Sequence, residues 1–169
     1  MYHSPAPIDE EFGAGVTVRI VPFPQQRYAD VLAELLAAHE EFWDARDLRS
    51  LHAAVWFRQF GDRALLAMDG PIIAGYLCGT VTADGLGYVH LVAVRRGYRG
   101  RGIARDLWAT FTAAAQRSGA VRLEAVTSPG NAGSIAFHVR LGMTATEIAG
   151  YSGDDRATVL FQRDLPPSR

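Results

Sequence analysis

The sequence predicts one α+β domain, a mostly antiparallel sheet interrupted by a single β-helix-β crossover. Three observations point there. Strand-type runs lie next to one another across tight-turn dipeptides, Asp69-Gly70 and Asp84-Gly85. Residues 87–107, GYVHLVAVRRGYRGRGIARDL, set an apolar strand, a glycine-rich basic turn and a helix start end to end. The first third of the chain carries two apolar stripes at helical spacing.

In chain order, residues 1–15 hold Pro5, Pro7, Gly13, Gly15 and the acidic Asp9-Glu10-Glu11, and read as a flexible lead-in to a single domain over 16–165. Val16, Val18 and Ile20 alternate with Thr17 and Arg19, a strand stopped by Pro22 and Pro24. Tyr28, Val31, Leu32, Leu35, Leu36 and Phe42 predict a helix over 26–45. A second helix is expected over 49–60, with Leu51, Val55, Trp56 and Phe60 inward and Gly61 as its stop. Strands follow at 64–68 and 72–82, then the central strand at 86–94. Ile103, Leu107, Phe111 and Ala114 give a helix to about Arg117, closed by Gly119. A strand at 121–126 completes the crossover, Asn131 caps a short helix over 132–141, and strands at 144–149 and 158–163 end the sheet.

Composition narrows the function. A chain of 169 residues suits one sizeable core, and its net charge of −1 argues against nucleic acid as the main partner. The single cysteine, Cys78, excludes an intrachain disulfide and reads as a small hydrophobe. Neither a signal peptide nor a membrane-length apolar run is recognised, so no membrane partner is expected and the expected compartment is the cytoplasm. No metal is expected.

The turn between the central strand and its helix carries the chemistry. In Arg99-Gly100-Arg101-Gly102-Ile103-Ala104 two glycines permit a sharp bend that aims several N–H groups into one concavity, an anion site. Arg95, Arg96, Arg99, Arg101 and Arg105 add charge suited to a pyrophosphate. Five residues separate Val94 from Gly100 and Arg105 stands where a third glycine belongs, which disfavours a dinucleotide enzyme with Glu124 as ribose ligand. No Lys-Ser or Lys-Thr follows a glycine, so the P-loop is absent.

Arg99-x-x-Gly102-x-Ala104 after Val92-Ala93-Val94 resembles motif A of the GNAT superfamily, the acyl-coenzyme-A-dependent N-acetyltransferases. A second block, Asn131-x-x-Ser134-x-x-Phe137-His138-x-x-x-Gly142-Met143, is similar to that family's Asn-x-x-Ala-x-x-Phe-Tyr-x-x-x-Gly-Phe segment at identical spacing. It departs at Ser134, His138 and Met143, and His138 stands where a tyrosine commonly serves as general acid. The resemblance covers about residues 16–163. It implies a GNAT-type fold, with helices on both faces of the sheet and a V-shaped splay between the two central parallel strands. It also implies acetyl-CoA as cosubstrate, held by Val92, Ala93, Val94, Arg99, Gly100, Arg101, Gly102, Ile103, Ala104, Arg105, Asn131, Ser134 and Phe137.

The catalytic roles that the resemblance implies are few. Transfer to an amine needs a base, and His90, set in His-x-x-Ala-Val like a strand histidine of the arylalkylamine N-acetyltransferases, is the candidate. By the period of two it is expected to share a face with Tyr88, Val92 and Val94. Glu124 is the reserve base and His138 the candidate acid; each also has a structural reading, His90 and His138 as packed core rings and Glu124 as an ion-paired carboxylate. The Val94 N–H is expected to polarise the thioester carbonyl. The acceptor region, by the same resemblance, spans His39 to Arg49, where Glu40, Glu41, Asp44 and Asp47 beside Phe42 and Trp43 suit a cationic amine or merely form a solvated face. The expected acceptor is a small-molecule amine in preference to a protein, and family members often form homodimers. A coenzyme A-binding domain without turnover is the alternative.

Overall fold

The computed structural model describes residues 17–166, so the expected lead-in at 1–15 lies outside the described residues. The strands are β1 (Arg19–Pro22), β2 (Leu65–Asp69), β3 (Ile72–Val81), β4 (Leu86–Val94), β5 (Arg122–Thr127), β6 (Thr144–Ile148) and β7 (Thr158–Asp164). They form one sheet in the order β1-β2-β3-β4-β5-β7-β6. All neighbours are antiparallel except β4 and β5. A tight turn cannot join parallel strands, and the helix α4 (Ile103–Arg117) makes that crossover. The mixed, mostly antiparallel sheet expected from the sequence is the one that forms.

The remaining helices are α1 (Tyr28–Ala37), α2 (His39–Trp43), α3 (Ala54–Arg58) and α5 (Ala132–Arg140). The first two predicted helices are therefore broken. One is interrupted at Ala38 and stops at Asp44, which takes a left-handed φ of 54°. The other keeps only a 3-10 turn at Arg49–Leu51 and the short α3. The reason is tertiary: the loop between α2 and α3 bonds to buried side chains of α2 and β3, an influence that periodicity does not register. As a result Leu51, Val55 and Phe60, expected inward, are 39%, 42% and 45% exposed, and Phe57 fills the core instead.

Each face of the sheet buries its own core. On one, Leu107, Phe111 and Ala115 of α4 pack with Leu77, Leu123 and Phe161; on the other, Val31, Leu35, Phe42 and Phe57 pack with Ile73, Tyr76 and Leu91. Truncating Phe111 or Phe161 to alanine costs about 3–5 kcal/mol by the usual cavity penalty. Gly79 is fixed by close approach, since a Cβ there would lie 2.8 Å from the Phe111 ring and from the Tyr88 carbonyl oxygen.

A bulge in β4 redirects the central strand. Gly79 pairs with Val89 and Cys78 with Leu91, so His90 is the extra residue. Val89 consequently belongs to the α4 face while Leu91 and Ala93 belong to the opposite one, and Val92 and Val94 pack toward α4. This corrects the expectation of a shared face: His90 lies near Tyr88 and Trp56, with Val92 and Val94 on the other side. Strict alternation fails because one inserted residue reverses the parity of all that follow.

Candidate active site

β4 and β5 pair over four positions, from Leu86 with Arg122 to Val89 with Ala125. Beyond that β4 continues to Val94 and β5 to Thr127 without pairing, which opens a cleft between them. The Arg95 N–H bonds the Ala74 carbonyl at 2.8 Å, so by the alternation of antiparallel ladders Ala93 and Leu91 also face β3. Val92 and Val94 then turn their N–H and C=O groups toward the cleft, and the Val94 oxygen accepts there from Arg99 Nε at 3.1 Å. Two cavities meet along this edge, of about 710 Å³ and about 410 Å³. Val92, Asn131, Ser134, His138, Trp43 and Arg46 line both.

The larger cavity runs past the start of α4. Gly100 and Gly102 have φ of 77° and 81°, a region that glycine occupies without strain. Gly102 caps α4 with no side-chain hydrogen bond, so the first N–H groups of the helix are left for a ligand. Val92, Ala93, Val94, Arg99, Gly100, Gly102, Ile103, Ala104, Arg105, Asn131, Ser134 and Phe137 all line this cavity, whereas Arg101 does not. Its guanidinium bends back to the Gly97 carbonyl at 3.1 Å and lies over the Tyr98 ring.

The basic cluster is mostly occupied by partners within the chain. Arg95 bonds Glu41 at 2.7 Å, Arg96 bonds Asp44 at 3.0 Å, and Arg99 bonds Asp44 at 2.8 Å and the Phe42 carbonyl at 2.8 Å. These contacts fasten α2 to the end of β4. Glu41, Asp44 and Asp47, the last on Arg49 at 3.2 Å, are therefore directed at arginines, and none of Glu40, Glu41, Asp44 and Asp47 lines the smaller cavity. Arg105 is the most weakly engaged of these cations, 3.7 Å from Asp106.

The smaller cavity is walled by a loop held from beneath. The Leu48 N–H donates to His39 Nε2 at 3.1 Å, and the Leu48 carbonyl accepts from His52 Nδ1 at 2.8 Å. With its proton on Nδ1, His52 accepts at Nε2 from the Tyr76 hydroxyl at 2.7 Å, which in turn accepts from Trp43 Nε1 at 2.8 Å. His90 completes the wall. Its ring stacks on Trp56 at 4.0 Å, and Nε2 donates to the Leu51 carbonyl at 2.8 Å. That bond fixes the tautomer and leaves Nδ1 as the basic nitrogen. Burial lowers the His90 pKa below the ordinary 6.5, offset in part by the Leu51 bond, so the imidazole is neutral at pH 7.

Two other candidate side chains have the geometry of their structural readings. His138 Nδ1 donates to the Ser134 carbonyl at 2.8 Å, and the ring stacks on Phe161 at 4.1 Å and meets Trp108 edge-on. Its Nε2 is buried without a partner among the described residues and, in this tautomer, carries no proton. Burial lowers its pKa as well, so the ring favours the neutral form, which has no proton on Nε2 to donate. Glu124 bonds Arg122 at 3.0 Å and Gln162 at 2.8 Å, stands in the closed part of the β4–β5 pairing, and lines neither cavity. Cys78 is fully buried and its thiol is pushed up to about 12, which leaves no thiolate for an acyl-enzyme. Asn131 is the expected cap, accepting from the Ser134 N–H at 3.2 Å and donating to Thr127 Oγ1 at 3.0 Å.

Sequence reading missed Leu48, Leu51, Tyr151 and Arg156 as cavity residues and His52 and Trp56 as supports. No local motif marks them, because they reach the cleft from parts of the chain far apart in sequence: Leu48, Leu51 and His52 from the loop before α3, Trp56 from α3, and Tyr151 and Arg156 from the loop between β6 and β7.

The GNAT acetyltransferase family model matches residues 28–143. Among solved structures, Ard1 from Thermoplasma volcanium superposes with a TM-score of 0.70 at 14% identity, over 88% of this chain and 98% of its own. The ribosomal-protein-S18-alanine N-acetyltransferase from Escherichia coli does so at 0.69 and 14%, over 90% and 97%. YncA from Salmonella typhimurium, solved with its cofactor acetyl-CoA, gives 0.64 and 20%, over 89% and 95%. No curated protein matches the sequence. A matched segment that runs from the start of α1 through the glycine turn to the end of the α5 block, together with the shared fold, places this chain in the GNAT acetyltransferase family.

Proposed function

We propose that the chain transfers an acetyl group from acetyl-CoA to a small primary amine by direct attack in a ternary complex. The observation that carries this reading is the continuity of the cleft: a cradle of free amides at Gly100–Arg105 leads along the unpaired edge of β4 to a cavity walled by neutral His90. The α4 amides hold the pyrophosphate, and Asn131, Ser134 and Phe137 border the pantetheine path. The N–H groups of Val92 and Val94 face the position of the thioester carbonyl and stabilise the oxyanion as it forms.

The amine enters from the smaller cavity and gives one proton to His90 Nδ1. Its C–N bond forms, the C–S bond breaks, and the departing thiolate takes up one proton, so the exchange balances without a metal or redox partner. Ser134 Oγ borders both cavities, so its hydroxyl is placed to hydrogen-bond that thiolate, whose proton comes from solvent. Approximation of two bound reactants supplies most of the remaining acceleration.

A coenzyme A-binding domain without turnover is the second reading, favoured by the unprotonated, buried His138 in the position of the usual acid. Thiol release from acetyl-CoA across a panel of amines, run beside calorimetric titration with acetyl-CoA, separates them. Binding without amine-dependent thiol supports the second; no binding removes both.

A further inference from the structure

The smaller cavity has an electrostatic character opposite to what the acidic 39–49 segment suggests. Among the described residues its lining includes no aspartate or glutamate, and the formally charged members are Arg46 and Arg156. Arg156 is tied to Asp154 at 2.6 Å. Arg46 lies over the Trp43 ring, 5.8 Å from its centroid, and has no ion-pair partner among the described residues. The other walls are Trp43, Leu48, Leu51 and Tyr151, apolar or aromatic, with His90 at the nucleophile's approach.

From this arrangement, and resting on the acetyl-transfer reading above, we infer that the acceptor is a small amine that also bears a carboxylate, an amino acid in chemical class, with Arg46 as the carboxylate's partner. A guanidinium fork matches a carboxylate bidentately, and among the described residues the Arg46 guanidinium meets the Trp43 ring and no carboxylate. The cavity volume of about 410 Å³ suits a ligand of that size with an apolar side chain against Leu48, Leu51 and Tyr151. The same positive field disfavours an ammonium ion beside it, which lowers the pKa of the bound amine and favours the neutral nucleophile. Polycations such as polyamines find no counter-charge in this cavity.

The test compares L-phenylalanine and L-methionine with their C-terminal amides, phenethylamine, spermidine, and a hexapeptide with an acidic residue after a free N-terminus. Thiol release is followed in wild-type protein and in Arg46→Met. The expected result is a kcat/KM for the free acids at least about tenfold above that for the amides, as a bidentate charged pair provides. In Arg46→Met that ratio collapses toward one through KM, with acetyl-CoA affinity preserved in calorimetry. Faster turnover of the amides, amine or spermidine overturns the inference, and faster turnover of the peptide overturns the small-molecule assignment. Loss of acetyl-CoA affinity in Arg46→Met reassigns Arg46 to the cosubstrate and overturns it too. If wild-type protein binds acetyl-CoA but no amine releases thiol, or if it does not bind at all, the acetyl-transfer reading fails and this inference falls with it; those outcomes are distinct from an altered amine preference.

Discussion

At one end of the cleft a single run, Gly100 to Arg105, shapes the ligand cradle from its own backbone; at the other, Trp43, Leu48, Leu51, His90, Tyr151 and Arg156 converge from separate segments. The first end needs little from side chains, since its glycines and the uncapped helix provide the donors. The second depends on side chains whose placement requires the Trp43–Tyr76–His52–Leu48–His39 hydrogen-bond chain. Backbone recognition is generic and suits a cosubstrate; converging side chains are free to differ and suit an acceptor.

The contrast predicts separable failures. Gly102→Trp has the largest expected effect, because it forces a side chain onto a φ of 81° and covers the α4 amides. Acetyl-CoA affinity by calorimetry should drop at least about 100-fold, a change of about 2.7 kcal/mol. Unchanged affinity would show that the cradle is not the phosphate site.

His90→Ala should act on the other end alone, lowering kcat about 100-fold with acetyl-CoA affinity unaltered. The base must be neutral to work, and burial holds its pKa below 6.5, so kcat/KM in wild-type protein should rise with pH below 6.5 and stay flat through neutrality. The variant should lose that rising limb. Retention of the limb would assign it to another group.

Acid should loosen the acceptor end first. His52, His90 and His138 all have folded pKa values lowered by burial, so the folded state resists protonation that the unfolded chain accepts at about 6.5. Their stabilisation is complete above about 6.5 and is lost as pH falls through the lowered folded values. Urea midpoints at pH 7.5 and 5.0 should differ accordingly, and hydrogen exchange should rise in the 44–53 loop before it rises at 98–105, where no histidine lies. Uniform acceleration of both segments would erase the distinction.

The smallest effect belongs to His138→Phe. Its orphaned Nε2 contributes no hydrogen bond, the one bond lost is from Nδ1 to the Ser134 carbonyl, and an aromatic ring stacked on Phe161 preserves the packing. Stability should change by less than about 1 kcal/mol and kcat by less than about threefold, whereas loss of a true general acid costs about 100-fold.

Local patterns were legible where local forces decide. The Asp69-Gly70 hairpin, β4, α4, the Asn131 cap and the glycine turn all stand where spacing places them, and the cradle residues except Arg101 line the cavity as expected. Reading failed between Asp44 and Ala53, where the apolar stripe suggested helix and distant hydrogen bonds to His39 and Tyr76 hold a loop instead. It failed again at the His90 bulge, whose single extra residue changes which side chains share a face.

The sequence by itself determined the fold class, the crossover and the glycine turn before α4, because periodicity, glycine conformation and helix capping act over a few consecutive residues. Only the tertiary structure decided that Glu41 and Asp44 meet the arginines after β4, that His90 is held by its Nε2 bond to Leu51 with Nδ1 as the basic nitrogen, and that His138 stacks on Phe161 with its Nε2 buried. Those outcomes depend on which surfaces pack together and on the dielectric that packing creates, and neither is written in the spacing of neighbours along the chain.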